Sequence, residues 1–222
     1  DAFHVKVINS EGQAVSGASL NSHYVYDGRD LKWCQFESDA DGEVVIGMEE
    51  LFDSDYKKRR GVVLYGLADP NLAGFVDVSV GDVGKTLTLE LESGCVVHGK
   101  LGSTELEGLG QSLEWGNVYL YRGKHRPVSS RLVGGEYRFF VPAGEYKLRA
   151  YGLGTYSLNR EIKVERGEDE LEVDFDLPAD RLAHLMGKRA PEICKAKGWL
   201  NGEAVKLEDL RGKVVVLDFW GY

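Results

Sequence analysis

The sequence predicts a mainly β fold, two antiparallel β-sandwiches in tandem followed by a short segment of different grammar. Three observations carry this. Apolar and polar residues alternate with period two over most of the chain, turn signals recur between the alternating segments, and two acidic strands, 86–92 and 170–177, each run up to a break. A segment with one wet face and one dry face is what a sheet covered on a single side requires.

The elements follow in order. Phe3, Val5 and Val7 alternate with His4 and Lys6; Leu87, Leu89 and Leu91 with Thr86, Thr88 and Glu90; Leu171, Val173, Phe175 and Leu177 with Glu170, Glu172, Asp174 and Asp176. Further strands are predicted at 62–67, 74–80, 95–101, 116–122, 136–141, 145–151 and 160–165. Asp41-Gly42, Gly134-Gly135, Pro142-Ala143-Gly144 and Gly167-Glu168 punctuate them as turns. Asp41-Gly42-Glu43-Val44-Val45-Ile46 and Gly134-Gly135-Glu136-Tyr137-Arg138-Phe139 echo one another, each a Gly-Glu turn opening a strand. Met48 to Arg60, acidic early and basic late, reads as a helical turn plus loop. Ser93-Gly94 marks a seam and Pro178-Ala179-Asp180 an end, so the predicted units are 1–93, 94–179 and 180–222. In the last of these, 181–186 reads as a short helix, ended by Ala190-Pro191. Residues 199–205, with Asn201-Gly202 at their centre, read as a tight hairpin. Leu207 to Leu210 reads as a helical turn, and 213–220 as a strand apolar on both faces.

Composition narrows the function. The chain has 222 residues and a net charge of −9, which argues against nucleic acid and anionic membrane surfaces as partners. Lys57-Lys58-Arg59-Arg60 is a basic run that reads as a solvated loop or helix end. No stretch is long and apolar enough to span a bilayer. The first residues, Asp1-Ala2-Phe3, suit a chain from which a signal segment has been removed. Twenty-eight glycines against 5 prolines fit many turns rather than a low-complexity linker.

Two resemblances follow from particular residues. Gly12-Gln13-Ala14-Val15-Ser16-Gly17-Ala18 and Ser38-Asp39-Ala40-Asp41-Gly42-Glu43 resemble the carboxypeptidase regulatory-like (transthyretin-like) β-sandwich family. The stretch Gly135 to Leu148, with its Pro-Ala-Gly turn, resembles the same broad superfamily. Immunoglobulin-like or prealbumin-like sandwiches that bind, space or present are what this implies. Gly187-Lys188-Arg189-Ala190-Pro191-Glu192 and Leu207-Glu208-Asp209-Leu210-Arg211-Gly212-Lys213-Val214-Val215-Val216-Leu217-Asp218-Phe219-Trp220 resemble the start of the redoxin and thioredoxin-like family. That resemblance implies an incomplete α/β segment, cut before a Cys-x-x-Cys turn, of an extracytoplasmic (periplasmic or cell-envelope) thiol–disulfide oxidoreductase. It also implies that Asp218 is the buried acid that would relay a proton to a redox thiol in the complete enzyme. In the present chain no thiol pair accompanies it, so the catalytic set is incomplete and the chain itself is read as non-enzymatic.

The other candidates have plainer readings. Cys34, Cys95 and Cys194 form no Cys-x-x-Cys pair and match no zinc spacing. Cys34 and Cys95 could bridge, and Cys194 reads as an apolar filler. His4, His23, His98, His125 and His184 show no paired spacing, so neither a metal nor a cofactor is expected. Asp39-Ala40-Asp41-Gly42-Glu43 has part of a calcium-loop spacing but reads as a β-turn. Trp115, Tyr119, Tyr121, Tyr137, Tyr146, Tyr151 and Tyr156 crowd the second sandwich. Tyr119 and Tyr121 share a face opposite Val118 and Leu120. Such a row either pairs across strands to stabilise the sheet or stacks on a sugar or peptide. The expected partners are therefore an unidentified protein, peptide or glycan on the sandwiches, or a second copy exchanging strand 213–220. A structural spacer of a cell-surface protein is the remaining alternative.

Overall fold

The computed structural model describes residues 1–24, 34–52, 61–69, 71–123, 125–131, 134–193, 198–200 and 202–218. Strands β1 (Ala2–Asn9), β2 (Ser19–Tyr24), β3 (Gln35–Glu37), β4 (Glu43–Gly47), β5 (Val62–Ala68), β6 (Leu72–Val78) and β7 (Thr86–Ser93) build the first sandwich. Strands β8 (Cys95–Gly102), β9 (Gly116–Arg122), β10 (His125–Arg131), β11 (Glu136–Val141), β12 (Gly144–Gly152), β13 (Leu158–Val164), β14 (Glu170–Glu172) and β15 (Phe175–Asp176) build the second. The mainly β, double-sandwich reading of the sequence is what the chain adopts.

In the first sandwich one layer runs β4-β1-β7 and the other β3-β2-β5-β6. Phe3, Val5 and Val7 of β1 and Leu89 and Leu91 of β7 meet Leu20, Val62, Leu64 and Val78 from the opposite layer, all essentially inaccessible to water. Each such side chain contributes about 1.5–3 kcal/mol of transfer free energy. The layers join at one corner, where β6 pairs with β7 through Leu72↔Ser93 and Ala73↔Glu92. Gly74 makes that corner possible. A Cβ there would stand 2.1 Å from the carbonyl oxygen of Glu90, a backbone approach open only to glycine.

In the second sandwich β10-β9-β12-β13 faces β11-β8-β14, with β15 extending the pairing along β8. Val97, Val118, Leu120, Tyr137, Phe139, Leu148 and Phe175 fill the space between them. The pairing is antiparallel apart from the closing strands. β7 lies parallel to β1, from His4↔Thr86 to Asn9↔Leu91, and β14 and β15 lie parallel to β8. Alternation in the sequence reports which face of a strand is wet, not the direction of its neighbour, so this feature was not foreseen.

Among the described residues three short α-helices accompany the sheets: α1 (Met48–Leu51), α2 (Thr104–Gly108) and α3 (Arg181–Leu185). The predicted turn at Met48 is therefore present, while Lys57 to Arg60 lie outside the described residues. Helix α2 starts on Ser103, whose hydroxyl accepts the Leu106 amide at 3.1 Å, a standard N-cap. Asp176 takes both the Thr104 amide and hydroxyl, at 2.8 and 2.7 Å. Those hydrogen bonds, the backbone one first, hold its carboxyl below the usual range.

Helix α3 is seated on this sandwich rather than free. The Glu105 carboxylate accepts the Ala179 amide at 2.8 Å and meets His184 Nε2 at 3.0 Å. Gln111 Nε2 donates to the Ala183 carbonyl at 2.8 Å, and Asp180 caps the helix through the Ala183 amide at 2.8 Å. Leu106, Ala179 and Ala183 bury one another beneath.

Beyond α3 the chain departs from expectation. The described residues of 199–205 form no hairpin, and 213–218 form no strand. The sequence leaves this run to pair with a sandwich edge or to exchange with another copy; Val214 is 96% and Val216 84% exposed, and among the described residues it pairs with no edge. Among the described residues no strand lies beside this apolar run to supply its hydrogen bonds. What does form is the helical turn, a 3-10 turn at Leu207–Leu210. Glu192 fastens it by accepting the amides of Leu207 and Glu208 at 3.0 and 2.9 Å, and Arg189 reaches Glu208 at 3.2 Å.

Replacing Gly74 with Ala is expected to cost about 2–3 kcal/mol of stability, because backbone must move to admit the methyl group. Gly102→Ala, where a Cβ would meet nothing within 4 Å, should change stability by no more than about 0.5 kcal/mol. Urea denaturation of the two variants checks both.

Candidate functional site

Two features stand out once the sheets are in place: the contact between the sandwiches, and the outer face of the β9–β12 sheet. The contact starts from β5. Its residues 62–65 are Val-Val-Leu-Tyr, without the polar alternation of a half-covered strand. Val62 and Leu64 enter the first core, whereas Val63, at 0% exposure, and Tyr65, at 6%, are buried on the opposite side. There β10 lies against β2 and β5, and β11 against β6. Phe75 of β6 packs on the second core, stacks on Tyr65 at 5.0 Å and meets Tyr146 at 6.2 Å. The Tyr65 hydroxyl donates to the Phe140 carbonyl across the seam. The Phe140 ring lies over Gly94, where a Cβ would come within 2.4 Å of it. At the rim, Arg122 pairs with Asp77 at 3.1 Å and sits 5.6 Å from the centre of the Phe75 ring. A cleft of about 210 Å³ opens beside these residues, lined by Glu90, Glu92, Arg166 and Tyr146 among others. Sequence reasoning expected a seam at Ser93-Gly94 and gave no sign of Tyr65, Phe75, Arg122 and Phe140. The unalternated run 62–65 was the signal that could have found it.

The outer face of the second sheet collects the aromatics in part. Tyr137 and Tyr146 belong to the core, at 2% and 4% exposure, so they leave the candidate row. Tyr119, Tyr121 and Tyr151 are half-buried on the outside, with Trp115 exposed beside them. The Tyr119 and Tyr151 hydroxyls share a hydrogen bond of 2.8 Å, and their rings are 5.5 Å apart. Trp115 meets Tyr151 edge-on at 5.4 Å, and Tyr121 meets Tyr119 edge-on at 6.5 Å. Because Tyr119 stands opposite Arg149 and Tyr151 opposite Asn117, this is diagonal cross-strand pairing of the kind that stiffens a sheet. Past Tyr121 the face turns charged, Glu145 opposite Lys163 and Lys147 opposite Glu161, around an open hollow of about 530 Å³.

The remaining predicted sites resolve individually. Cys34 and Cys95 are free thiols and not a bridge. Cys34 Sγ donates to the Glu50 carbonyl at 3.0 Å in the first sandwich, while Cys95 is buried in the core of the second. Burial, reinforced by Glu168, Asp169 and Glu170, pushes the Cys95 thiol up to about 11, which makes it a poor nucleophile. Cys194 lies outside the described residues. Asp39 Oδ1 accepts the amides of Asp41 and Glu43 at 2.9 and 2.8 Å, and the Lys6 ammonium sits on the Asp41 carbonyl at 2.6 Å. That is a turn in which the Asp39 side chain holds two following amides. His98 pairs with Glu170 at 2.9 Å and His184 with Glu105, while His4 is exposed. Among the described residues no three His, Cys, Asp or Glu side chains converge on one point. Asp218 is exposed in this chain, not buried. No described helix is long and apolar enough to cross a membrane.

No family model matches the chain, and no curated protein matches it. Among solved structures, the TIE protein of Bacillus anthracis aligns over 80% of this chain and 34% of its own, at 10% identity and a TM-score of 0.34. A streptococcal ancillary pilin aligns over 81% and 62%, at 12% identity and 0.33. BcpA, the major pilin subunit of Bacillus cereus, aligns over 81% and 99%, at 7% and 0.29. The chain thus spans less than two thirds of the length of the first two. Similarity this distant leaves function to be argued from the chain's own residues.

Tyr65→Phe should cost about 1 kcal/mol by leaving the half-buried Phe140 carbonyl without this donor, measured by urea denaturation at neutral pH. A pH effect follows from the same group. Burial raises the hydroxyl pKa values of Tyr65, Tyr137 and Tyr146 well above the ordinary value. The folded chain therefore keeps protons that the unfolded chain releases near pH 10. Stability from these tyrosines is whole below about pH 10 and is lost as pH rises towards their folded values. Denaturation midpoints measured from pH 8 to 11 should fall steeply at the alkaline end, and less steeply in Tyr65→Phe.

Proposed function

We propose that this chain is the non-catalytic N-terminal region of an extracytoplasmic thioredoxin-like thiol–disulfide oxidoreductase, in which residues 1–93 and 94–179 act as a two-sandwich spacer. The observation that carries the spacer role is the seam. β5 is buried on both faces, so separating the sandwiches would expose Val63, Tyr65, Ala73 and Phe75 to water. A contact of that kind holds two units at a set angle instead of letting them swing, which suits a spacer better than a flexible tether. The redox part of the reading rests on the residues of 187–192 and 207–220 that resemble the redoxin and thioredoxin-like family. The sandwich part rests on the carboxypeptidase regulatory-like resemblance of 12–18 and 38–43. In this reading 180–222 opens an α/β unit, and Asp218 becomes buried when the rest of that unit covers it.

A second reading has its own observation. Trp115, at 43% exposure, together with Tyr119, Tyr121 and Tyr151, gives the outer sheet face apolar area that a glycan or peptide could cover. Against it, Trp115 meets Tyr151 and Tyr121 meets Tyr119 edge-on, and Tyr119 and Tyr151 engage their hydroxyls with each other.

The coding sequence beyond Tyr222 decides the first reading. A Cys-x-x-Cys within the next few codons is expected, and the chain carried to its natural end should reduce insulin disulfides, with activity abolished by Cys→Ser at either position. Continuation without that pair refutes the redox parent. For the second reading, glycan and peptide arrays with native chain and with Tyr119→Ala/Tyr121→Ala should show no difference if the aromatic row serves only the sheet.

A further inference from the structure

The way each sandwich is closed bears on what a spacer must withstand. Chain enters the first sandwich through β1 and leaves through β7, and those two strands lie side by side and parallel. It enters the second through β8 and leaves through β14 and β15, again adjacent and parallel. Tension on the two ends of a unit pulls its first strand towards that strand's own N-terminus and its last strand towards its C-terminus. Between parallel neighbours these pulls are opposed along the strand axis. The strands must slide past one another, and every ladder hydrogen bond between them is loaded together. Had the same strands been antiparallel, the pull would peel them apart one bond at a time.

We propose that the two sandwiches form a load-bearing element, each unit resisting end-to-end tension by shear of its terminal strands. This rests on the spacer reading but not on the identity of what the spacer carries. The pairing is continuous in the first unit and carried across one break in the second. In the first unit it runs from His4↔Thr86 to Asn9↔Leu91, with Phe3, Val5, Val7, Leu89 and Leu91 anchored in the core at 0–1% exposure. In the second, Val96 donates to the Asp169 carbonyl and Val173 to the His98 carbonyl, each at 2.8 Å, and Leu177 to the Gly102 carbonyl at 2.8 Å. Where β14 gives way to β15 the ladder is bridged by a side chain, Asp174 Oδ1 accepting the Lys100 amide at 2.7 Å. Gly99 lets the strands close here, since a Cβ would stand 2.2 Å from the Val173 carbonyl oxygen. The seam passes load from β7 to β8 through Gly94, whose amide is tied to the Asn71 carbonyl at 3.1 Å.

Single-molecule stretching of the 222-residue chain tests this by changing only the direction of pull. With handles at Asp1 and Tyr222, the first unit should unfold at about twofold or greater force than with handles at Asp1 and Glu49, since forced unfolding follows the barrier along the pulled direction. The second geometry peels β4 from β1, which are antiparallel with Ala2 opposite Gly47. Equal forces in the two geometries would overturn the proposal. Asp174→Ala provides an independent check, since it should lower the end-to-end force of one of the two unfolding events and leave the other unchanged. Loss of both events together, or of neither, would count against it. The absence of a redox pair beyond Tyr222 would remove the oxidoreductase and leave the force ratio as predicted, so the two failures are distinguishable.

Discussion

Burial of β5 on both faces is the constraint around which the rest is arranged. A strand in a sandwich ordinarily keeps one face in water, and two such units in tandem need touch only at their linker. Here Val63 and Tyr65 are buried on the side where solvent would be expected, so a second sheet must lie there. That requirement places β10 over β2 and β5, brings Phe75 into contact with the second core, and puts the Phe140 carbonyl where the Tyr65 hydroxyl can reach it. The residue between the units answers to it as well, since a Cβ at Gly94 would push against the Phe140 ring and oblige it to shift.

Much of the fold was legible because period-two alternation is a direct report of half-burial. Strands predicted at 116–122, 136–141 and 145–151 lie within a residue of Gly116–Arg122, Glu136–Val141 and Gly144–Gly152. Less legible were the strands whose faces are not simply wet and dry. Residues 19–24, Ser-Leu-Asn-Ser-His-Tyr, hold few apolar positions, yet β2 forms because it is hydrogen-bonded between β3 and β5. Strand β10, His125–Arg131, carries a proline and a shift of register near its start, and earns its place by pairing with β9 and lying across the seam. The opposite error fell on 213–218. Its unbroken apolar run carries the same signal as 62–65, but a local pattern states what a strand needs and not whether a neighbour is present. Of the candidate site, Tyr119 and Tyr121 were found by spacing. Tyr65 and Arg122 act through partners 75 and 45 residues away in sequence, a relation no local pattern holds.

The aromatic residues illustrate how one residue type serves unlike ends in one small domain. Tyr137 and Tyr146 are core-filling rings whose hydroxyls find backbone carbonyls, those of Val173 and Pro142. Each thereby buries a large ring without orphaning its polar tip. Tyr119 and Tyr151 solve the same problem on the outside by satisfying each other. Glu145 opposite Lys163 and Lys147 opposite Glu161 continue the same face with opposed charges, the Lys163 ammonium itself resting on Glu165 at 2.6 Å.

Helix α3 has a consequence for whatever follows it. A chain leaving a domain through a loose loop explores a wide volume, and the local concentration of anything attached is diluted accordingly. Here the exit is gripped by Glu105, Gln111 and Asp180, with Ala183 wedged against Leu106. The stem therefore points one way, and the next residues set out from a fixed position and heading. Five residues of helix thus fix where the following chain begins on the second sandwich, whatever course it takes afterwards.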